Sequence, residues 1–295
     1  MATATTAALA APKRRGSFYR TFAKRNIIAT VALIVLAVVI IAAIAAPLIA
    51  PGDPVDMSPA DRLKSPGDYG WLGTDVFGRD ILSRILYGTR ISLGVGVVSV
   101  LVAAAAGTLI GLVSGYMGGW QEYITMRLMD VLFSFPSIIL AILIVSIVGA
   151  GFTSIIFAIA LVQTPIFARI VRASTLSVKE IEYVHAAQAS GAKTSKILFR
   201  HVLPNVAAPI LVQLALSMSG AVTMEAALSY LGLGAVPPTP SLGSMLSENR
   251  TAMELAPWTV LYPGIALAIL VLCINMFGDA VRDYLDPRLR TATNP

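Results

Sequence analysis

Six long apolar runs, separated by polar stretches, organise the chain: residues 27–50, 91–115, 124–149, 152–170, 206–230 and 258–277. Each meets or approaches the about 20 helical residues that cross a hydrocarbon core of about 30 Å. The pattern predicts an all-α membrane protein with six transmembrane helices. A first helix at 27–50 precedes a polar segment at 51–90, and five more helices make a core at 91–282. Polar tails at 1–26 and 283–295 flank them. The first run is too long for a cleaved leader and lacks a convincing cleavage signature, so a retained helix is expected. The largest polar island within the core is 180–205.

That island has its own periodicity. Ile181, Val184 and Ala187 recur at helical spacing, with Glu180, Glu182 and Gln188 on the polar side. Gly191 fits the left-handed position that ends a helix. Thr194 or Ser195 is suited to cap a second short helix, whose Ile197, Leu198 and Val202 form an apolar stripe. Pro204 falls where the next span begins and a missing N–H is tolerated. The product is a helix–bend–helix in which small Ala186, Ala187, Ala189 and Ser190 leave room for another protein. Periodicity alone fits an unpartnered interfacial segment equally well.

Within the spans, Ser99, Ala103, Gly107, Gly111 and Gly115 repeat every fourth position, which lets another helix approach closely, in this chain or in a partner. Pro136, Pro165, Pro209 and Pro263 permit kinks in or near four other spans. No repeat marks inverted halves.

Composition supports the membrane reading: 56% of residues are hydrophobic and 13% charged, against roughly 25% charged in soluble domains. The net charge of +6 does not point to nucleic acid, because the basic residues cluster at span ends. With the N-terminus inside, 16 of the 22 Lys and Arg lie on inner segments. The positive-inside rule then puts both termini and the 180–205 loop in the cytoplasm. The lone Cys273 is expected to be a buried thiol.

Candidate chemistry is sparse. Asp75, Arg79, Asp80 and Arg84 are close in sequence on an outer segment, where exposed ion pairs of about 0–1 kcal/mol each are expected. Asp53, Asp56 and Asp61 are too dispersed for calcium, so no metal site is expected. Arg127 and Asp130, three apart, are placed to pair on one helix face. Glu225, near the outer end of the fifth span, either lines a path or braces the turn after it. Asp279 is expected at the inner interface. Gly191-Ala192-Lys193-Thr194 lacks a glycine needed for a phosphate-binding loop, and no metallopeptidase or serine-hydrolase motif appears. An enzyme is therefore not expected. An ion-coupled carrier would use midplane carboxylates, whereas Asp130, Glu225 and Asp279 lie nearer span ends. A channel filter is not visible.

Several motifs resemble one family. Ala186-Ala187, Gly191 and Leu203-Pro204 resemble the EAA loop of bacterial ABC importer permeases, which docks on an ATPase. Trp71-Leu72-Gly73-Thr74-Asp75 with Phe77-Gly78-Arg79-Asp80 resembles the segment before the second span in dipeptide, oligopeptide and nickel permeases. Met126-Arg127-Leu128-Met129-Asp130 with Phe135-Pro136, Glu225-Ala226-Ala227-Leu228-Ser229-Tyr230, and Leu285-Asp286-Pro287-Arg288 are similar to later parts of that group, in its "C" subunit. Two positions depart: His185 stands where an acidic residue is usual, and Leu242 where tryptophan is common, at what would be the outer mouth.

The resemblance implies a type I importer permease fold in the bacterial inner membrane, paired with a "B" permease, two ATPases and an extracytoplasmic binding protein. ATP and magnesium would bind the ATPases, with no cofactor on this chain. Glu182, His185, Ala186, Ala187, Gly191, Leu203 and Pro204 would contact the ATPase, and Asp75, Arg79, Asp80 and Arg84 would belong to an outer docking segment. Glu225 would meet the translocated peptide, if it is not a brace. Dipeptides or oligopeptides are the expected cargo, with nickel chelates or glutathione as alternatives on the same architecture.

Overall fold

The computed structural model describes residues 27–285, so the expected tails, the Asp286-Pro287-Arg288 motif and the basic residues within them lie outside the described part. The described residues are helical, joined by turns and a single bridge between Thr74 and Asp80. In chain order the helices are α1 (Ile27–Ile44), α2 (Ala46–Ile49), α3 (Ile81–Met117), α4 (Gly119–Ser134), α5 (Ser137–Val148) and α6 (Phe152–Lys179). There follow α7 (Glu182–Ala189), α8 (Thr194–Ile197), a wide turn at Leu198–Val202, α9 (Leu203–Tyr230), α10 (Leu242–Asn249) and α11 (Trp258–Leu285).

Four helical stretches among the described residues are long and apolar enough to cross a membrane: α3, α6, the continuous Thr194–Tyr230 and α11. A fifth is reached if α4 and α5 count as one broken span. The unbroken run predicted at 124–149 is corrected here, because α4 and α5 meet at 96°. The cause is local. Phe135 is extended, at φ −85° and ψ 140°, the conformation that the ring of a following proline favours. Pro165, Pro209 and Pro263, by contrast, lie inside continuous helices. The 27–50 run also divides, into α1 and the single turn α2 with Pro47 at its start.

Helix α3 has 37 residues, about 55 Å at 1.5 Å per residue, and starts ten residues before its predicted span. Asp80 makes this start: its carboxylate accepts from Ser83 N at 2.7 Å, satisfying an otherwise orphaned donor. The small-residue stripe of α3 packs on α6 of the same chain. A side chain at Gly107 would lie 2.5 Å from Phe167 Cβ, and at Gly111 2.6 Å from the Ala168 carbonyl. Only glycine permits this approach of two backbones.

Helix α9 packs against α3, α6 and α11, and α1 lies along α11. The central core joins Val100, Ala103, Ile155, Ile159, Phe167 and Leu228. A second cluster at one end includes Leu112, Val171 and Val184. A third joins α1, α9, α10 and α11 through Leu36, Val222, Leu242, Leu270 and the buried Cys273. Leu242 is fully buried in this core. An aliphatic residue fits there as a helix-packing group.

Candidate functional site

The polar island forms a docked appendage at one end of the bundle. α7 ends at Ser190, and Gly191 follows at φ +74°, the left-handed conformation glycine adopts without strain. Ala192 N donates back to the Ala187 carbonyl at 3.1 Å, closing the turn. Lys193 occupies the next N-cap without a side-chain bond, so neither Thr194 nor Ser195 caps as expected. The chain then continues into α9 as one helix. Leu203 N–H bonds the Leu198 carbonyl, one residue wider than an α-turn, just before Pro204, which has no N–H to donate. Pro204 thus follows a wide turn inside a continuous helix rather than beginning a separate one.

One fully buried side chain seats α7. Val184 is fully buried with Leu112 of α3, Val171 of α6 and Ile197, Leu198, Val202 and Val206 beyond the bend. Gln188 Nε2 donates to the Tyr116 hydroxyl at 2.9 Å, tying α7 to the end of α3. Glu182, His185, Ala186, Gly191 and Pro204 are exposed, while Ala187 and Leu203 are half-buried. His185 Nε2 lies 3.9 Å from the Glu180 carboxylate, both at the surface. Of the predicted loop residues, five share the outward surface and two join it to the cluster beneath.

The opposite end is built differently. Asp75, Arg79, Asp80 and Arg84 are at most 8% exposed, which corrects the expectation of surface ion pairs. Arg79 Nε donates to Asp75 at 2.7 Å, and Arg79 and Arg84 both reach Glu248 of α10, at 2.5 and 3.0 Å. Arg84 also donates to the Pro54 carbonyl at 3.2 Å. Asn249 accepts from Val76 N at 3.2 Å, and Trp258 Nε1 donates to the Thr74 carbonyl at 3.4 Å. The cluster thus clamps the 51–90 segment onto α10 and the start of α11. Sequence reasoning missed Glu248. With Asp80 engaged in capping α3, two arginines face Asp75, and the carboxylate that completes the set is brought in by the fold from more than 160 residues away.

Glu225 is fully buried in the last turns of α9. Its Oε1 accepts from Ser229 Oγ at 2.7 Å, and the Ser92 and Ser241 hydroxyls stand beside the carboxyl. The one hydrogen bond it makes, to Ser229, lies within α9, and its Oε2 and the Ser92 hydroxyl are buried without a hydrogen-bond partner. On the loop end, Asp130 pairs with Arg169 of α6 at 2.8 Å, not with Arg127. Arg172 Nε donates to Glu122 at 2.6 Å, and Arg127 lies over the Tyr123 ring, 5.3 Å from its centroid. Asp279 is exposed. Among the described residues no three His, Cys, Asp or Glu converge on a possible metal position.

Comparison with known proteins identifies this architecture. Residues 107–291 match the model of the binding-protein-dependent transport system inner membrane component. Residues 18–66 match the N-terminal TM domain of oligopeptide transport permease C. The chain belongs to the family of binding-protein-dependent transport system inner membrane components. It is 46% identical over 268 residues to the dipeptide transport system permease protein DppC of Alkalihalophilus pseudofirmus, covering 91% of this chain and 88% of the relative. It is 44% identical over 275 residues to the glutathione transport system permease protein GsiD of Pectobacterium atrosepticum, covering 93% and 91%. In fold it is similar to a chain of the MetNI methionine ABC transporter in inward facing conformations, with TM-score 0.54 and 19% identity, covering 69% of this chain and 96% of that one.

The resemblance read from the motifs therefore holds. This chain is a permease subunit of a binding-protein-dependent ABC importer, a multi-pass component of the bacterial inner membrane. Such subunits carry no catalytic site, and membership sets the ion-coupled carrier reading aside. A partner permease, ATPases and a binding protein follow from the family.

Proposed function

We propose that the chain forms, with a different "B" permease, the membrane path of an ATP-driven importer of di- and oligopeptides. Two cytoplasmic ATPases bind ATP and magnesium, and one of them grips α7 and the bend through Glu182, His185, Ala186, Ala187, Gly191, Leu203 and Pro204. A binding protein docks on the outer segments at 51–90 and 231–257. The chain crosses the membrane six times, counting 27–50 and the broken α4–α5, with both termini and the loop in the cytoplasm. A second reading, glutathione as cargo, is supported by the 44% identity to the glutathione permease.

The observation that carries the coupling role is the seat of Val184. It is inserted among residues of α3, α6 and α9, so displacement of α7 acts on three membrane helices at once. ATP binding then shifts the bundle between two states to the extent that the closed ATPases bind one of them more tightly. We read Glu225 as a brace, because its carboxyl is buried among three serines. Glu225→Gln, which keeps the shape and an acceptor for Ser229, then retains uptake; loss of uptake with normal assembly would assign Glu225 to the path instead.

The decisive experiment is uptake of a labelled dipeptide, and separately of glutathione, into vesicles holding this chain, with ATPases and binding protein supplied or omitted. Uptake that needs every component supports the proposal. Uptake by this chain alone, driven by an ion gradient, would sink it.

A further inference from the structure

The buried cluster around Glu225 is left with its hydrogen bonding incomplete. Glu225 of α9, Ser92 of α3 and Ser241 at the start of α10 are fully buried, and Ser229 is buried beside them. Glycines let the three elements meet closely here. A side chain at Gly88 of α3 would lie 3.3 Å from Leu242 N, and one at Gly243 of α10 would overlap the Ala226 carbonyl of α9. Glu225 Oε1 accepts from Ser229 Oγ at 2.7 Å, and Ser241 Oγ accepts from Ser244 N at 3.2 Å. Glu225 Oε2 and the Ser92 hydroxyl have no hydrogen-bond partner, although Ser92 and Ser241 both stand beside the carboxyl. Nor does Ser92 turn back onto its own helix, as Ser99 does in donating to the Val95 carbonyl at 2.7 Å.

Orphaned buried polar atoms are rare in folded proteins, and a bound water or ion is a common reason for them. Charge narrows the choice. Among the described residues no Lys, Arg or His pairs with Glu225. A buried carboxylate without a positive partner is strongly unfavourable. One cation among these oxygens would balance the carboxylate and give both orphaned atoms a partner. Carboxylate and hydroxyl oxygens are hard ligands, suited to alkali and alkaline-earth ions rather than to thiophilic metals. A single carboxylate balances a single charge, and the close glycine-mediated packing favours the smaller of the common monovalent ions.

We propose that Glu225 Oε2, with the hydroxyls of Ser92 and Ser241, binds a sodium ion. Ser229 holds the other carboxylate oxygen and so fixes the plane of the carboxyl. The ion joins α3 and α9 to the start of α10, three elements that the protein's own hydrogen bonds leave unconnected at this point. It is a resident of the fold and not a transported or coupling solute, so the inference is independent of the import reading.

The test is thermal unfolding of the full-length protein in detergent, purified in choline chloride, with sodium or potassium chloride exchanged for choline at constant ionic strength. Sodium should raise the midpoint by about 2–4 °C for each tenfold increase above its dissociation constant, and potassium should do less. Glu225→Gln should lose the dependence. Ser92→Ala, which removes one ligand, should need about tenfold more sodium for the same rise. A wild-type midpoint that does not respond to sodium would overturn the proposal and leave the cluster to a water molecule or to the carboxyl's own proton. An equal response to sodium and potassium would overturn the sodium assignment. Full sodium dependence in Glu225→Gln would place the ion elsewhere and overturn it as well. If Glu225→Gln does not fold, Ser92→Ala decides, because an unchanged sodium requirement in that variant would also sink the site. Unfolding is read without ATP, cargo or partner subunits, so this result and the import result are separate.

Discussion

The two ends of this bundle are held together by opposite means. At the end carrying 51–90 and α10, four charged side chains are withdrawn from solvent into one cluster, and the backbone of the 51–90 segment is tied to it through Pro54, Val76 and Thr74. At the loop end, α7 is seated by one fully buried valine and two side-chain hydrogen bonds, from Gln188 to Tyr116 and from Tyr183 to the His201 carbonyl, with most of its surface open. Buried ions resist separation because each would be left unpaired in a poor solvent. A small apolar plug yields at a far lower cost. The clamped end is built to keep its shape, and the loop end, in the coupling role proposed for it, to be gripped and moved.

The sharpest way to break that contrast is at the clamp. Asp75→Ala leaves Arg79 and Arg84 buried with only Glu248, and should destabilise the protein by about 3–5 kcal/mol. Thermal unfolding in detergent would show it as a large drop in midpoint. A small drop would mean that water reaches the cluster and the two ends are less different than their geometry implies.

Val184→Ala should cost the loop end about 2 kcal/mol, two carbons at about 0.8 kcal/mol each plus a small cavity. Hydrogen exchange should speed up in α7 while the clamp stays protected. If both ends speed up together, the loop is part of the global fold and not a separable appendage.

A side chain introduced at Gly191 would meet only open space, but the backbone there is left-handed, so conformation alone opposes substitution. Gly191→Val should cost about 1–2 kcal/mol locally and abolish transport while the protein remains inserted; Gly191→Asn, which tolerates this conformation, should be milder. Uptake and membrane insertion of the two variants together separate strain from lost contact. Gln188→Leu is the mildest change. It removes one hydrogen bond, worth about 0.5–1.5 kcal/mol, and should lower ATPase–transport coupling slightly with insertion unchanged.

Much of the architecture was legible beforehand because lipid makes it so. A backbone in hydrocarbon must bond internally, so long apolar runs predict helices with little ambiguity. The bend at Gly191 was legible for a similarly local reason, since few residues but glycine end a helix that way. Contacts between segments distant in sequence were not legible. Glu248 is more than 160 residues from both arginines, and nothing in its neighbours marks it as their partner. Arg127 and Asp130 had the spacing to pair, but Arg169 reaches Asp130 instead, because α4 packs against α6.

The sequence by itself determined the membrane class, the helical content, the coupling-loop motif and the family, all of which depend on local composition and spacing. Tertiary structure alone decided that the glycine face of α3 meets α6, that Phe135-Pro136 turns a span through 96°, and that the charges of the 51–90 segment are buried. The physical reason is that burial belongs to a set of segments: a charge or a small residue acquires its role only when another part of the chain arrives beside it.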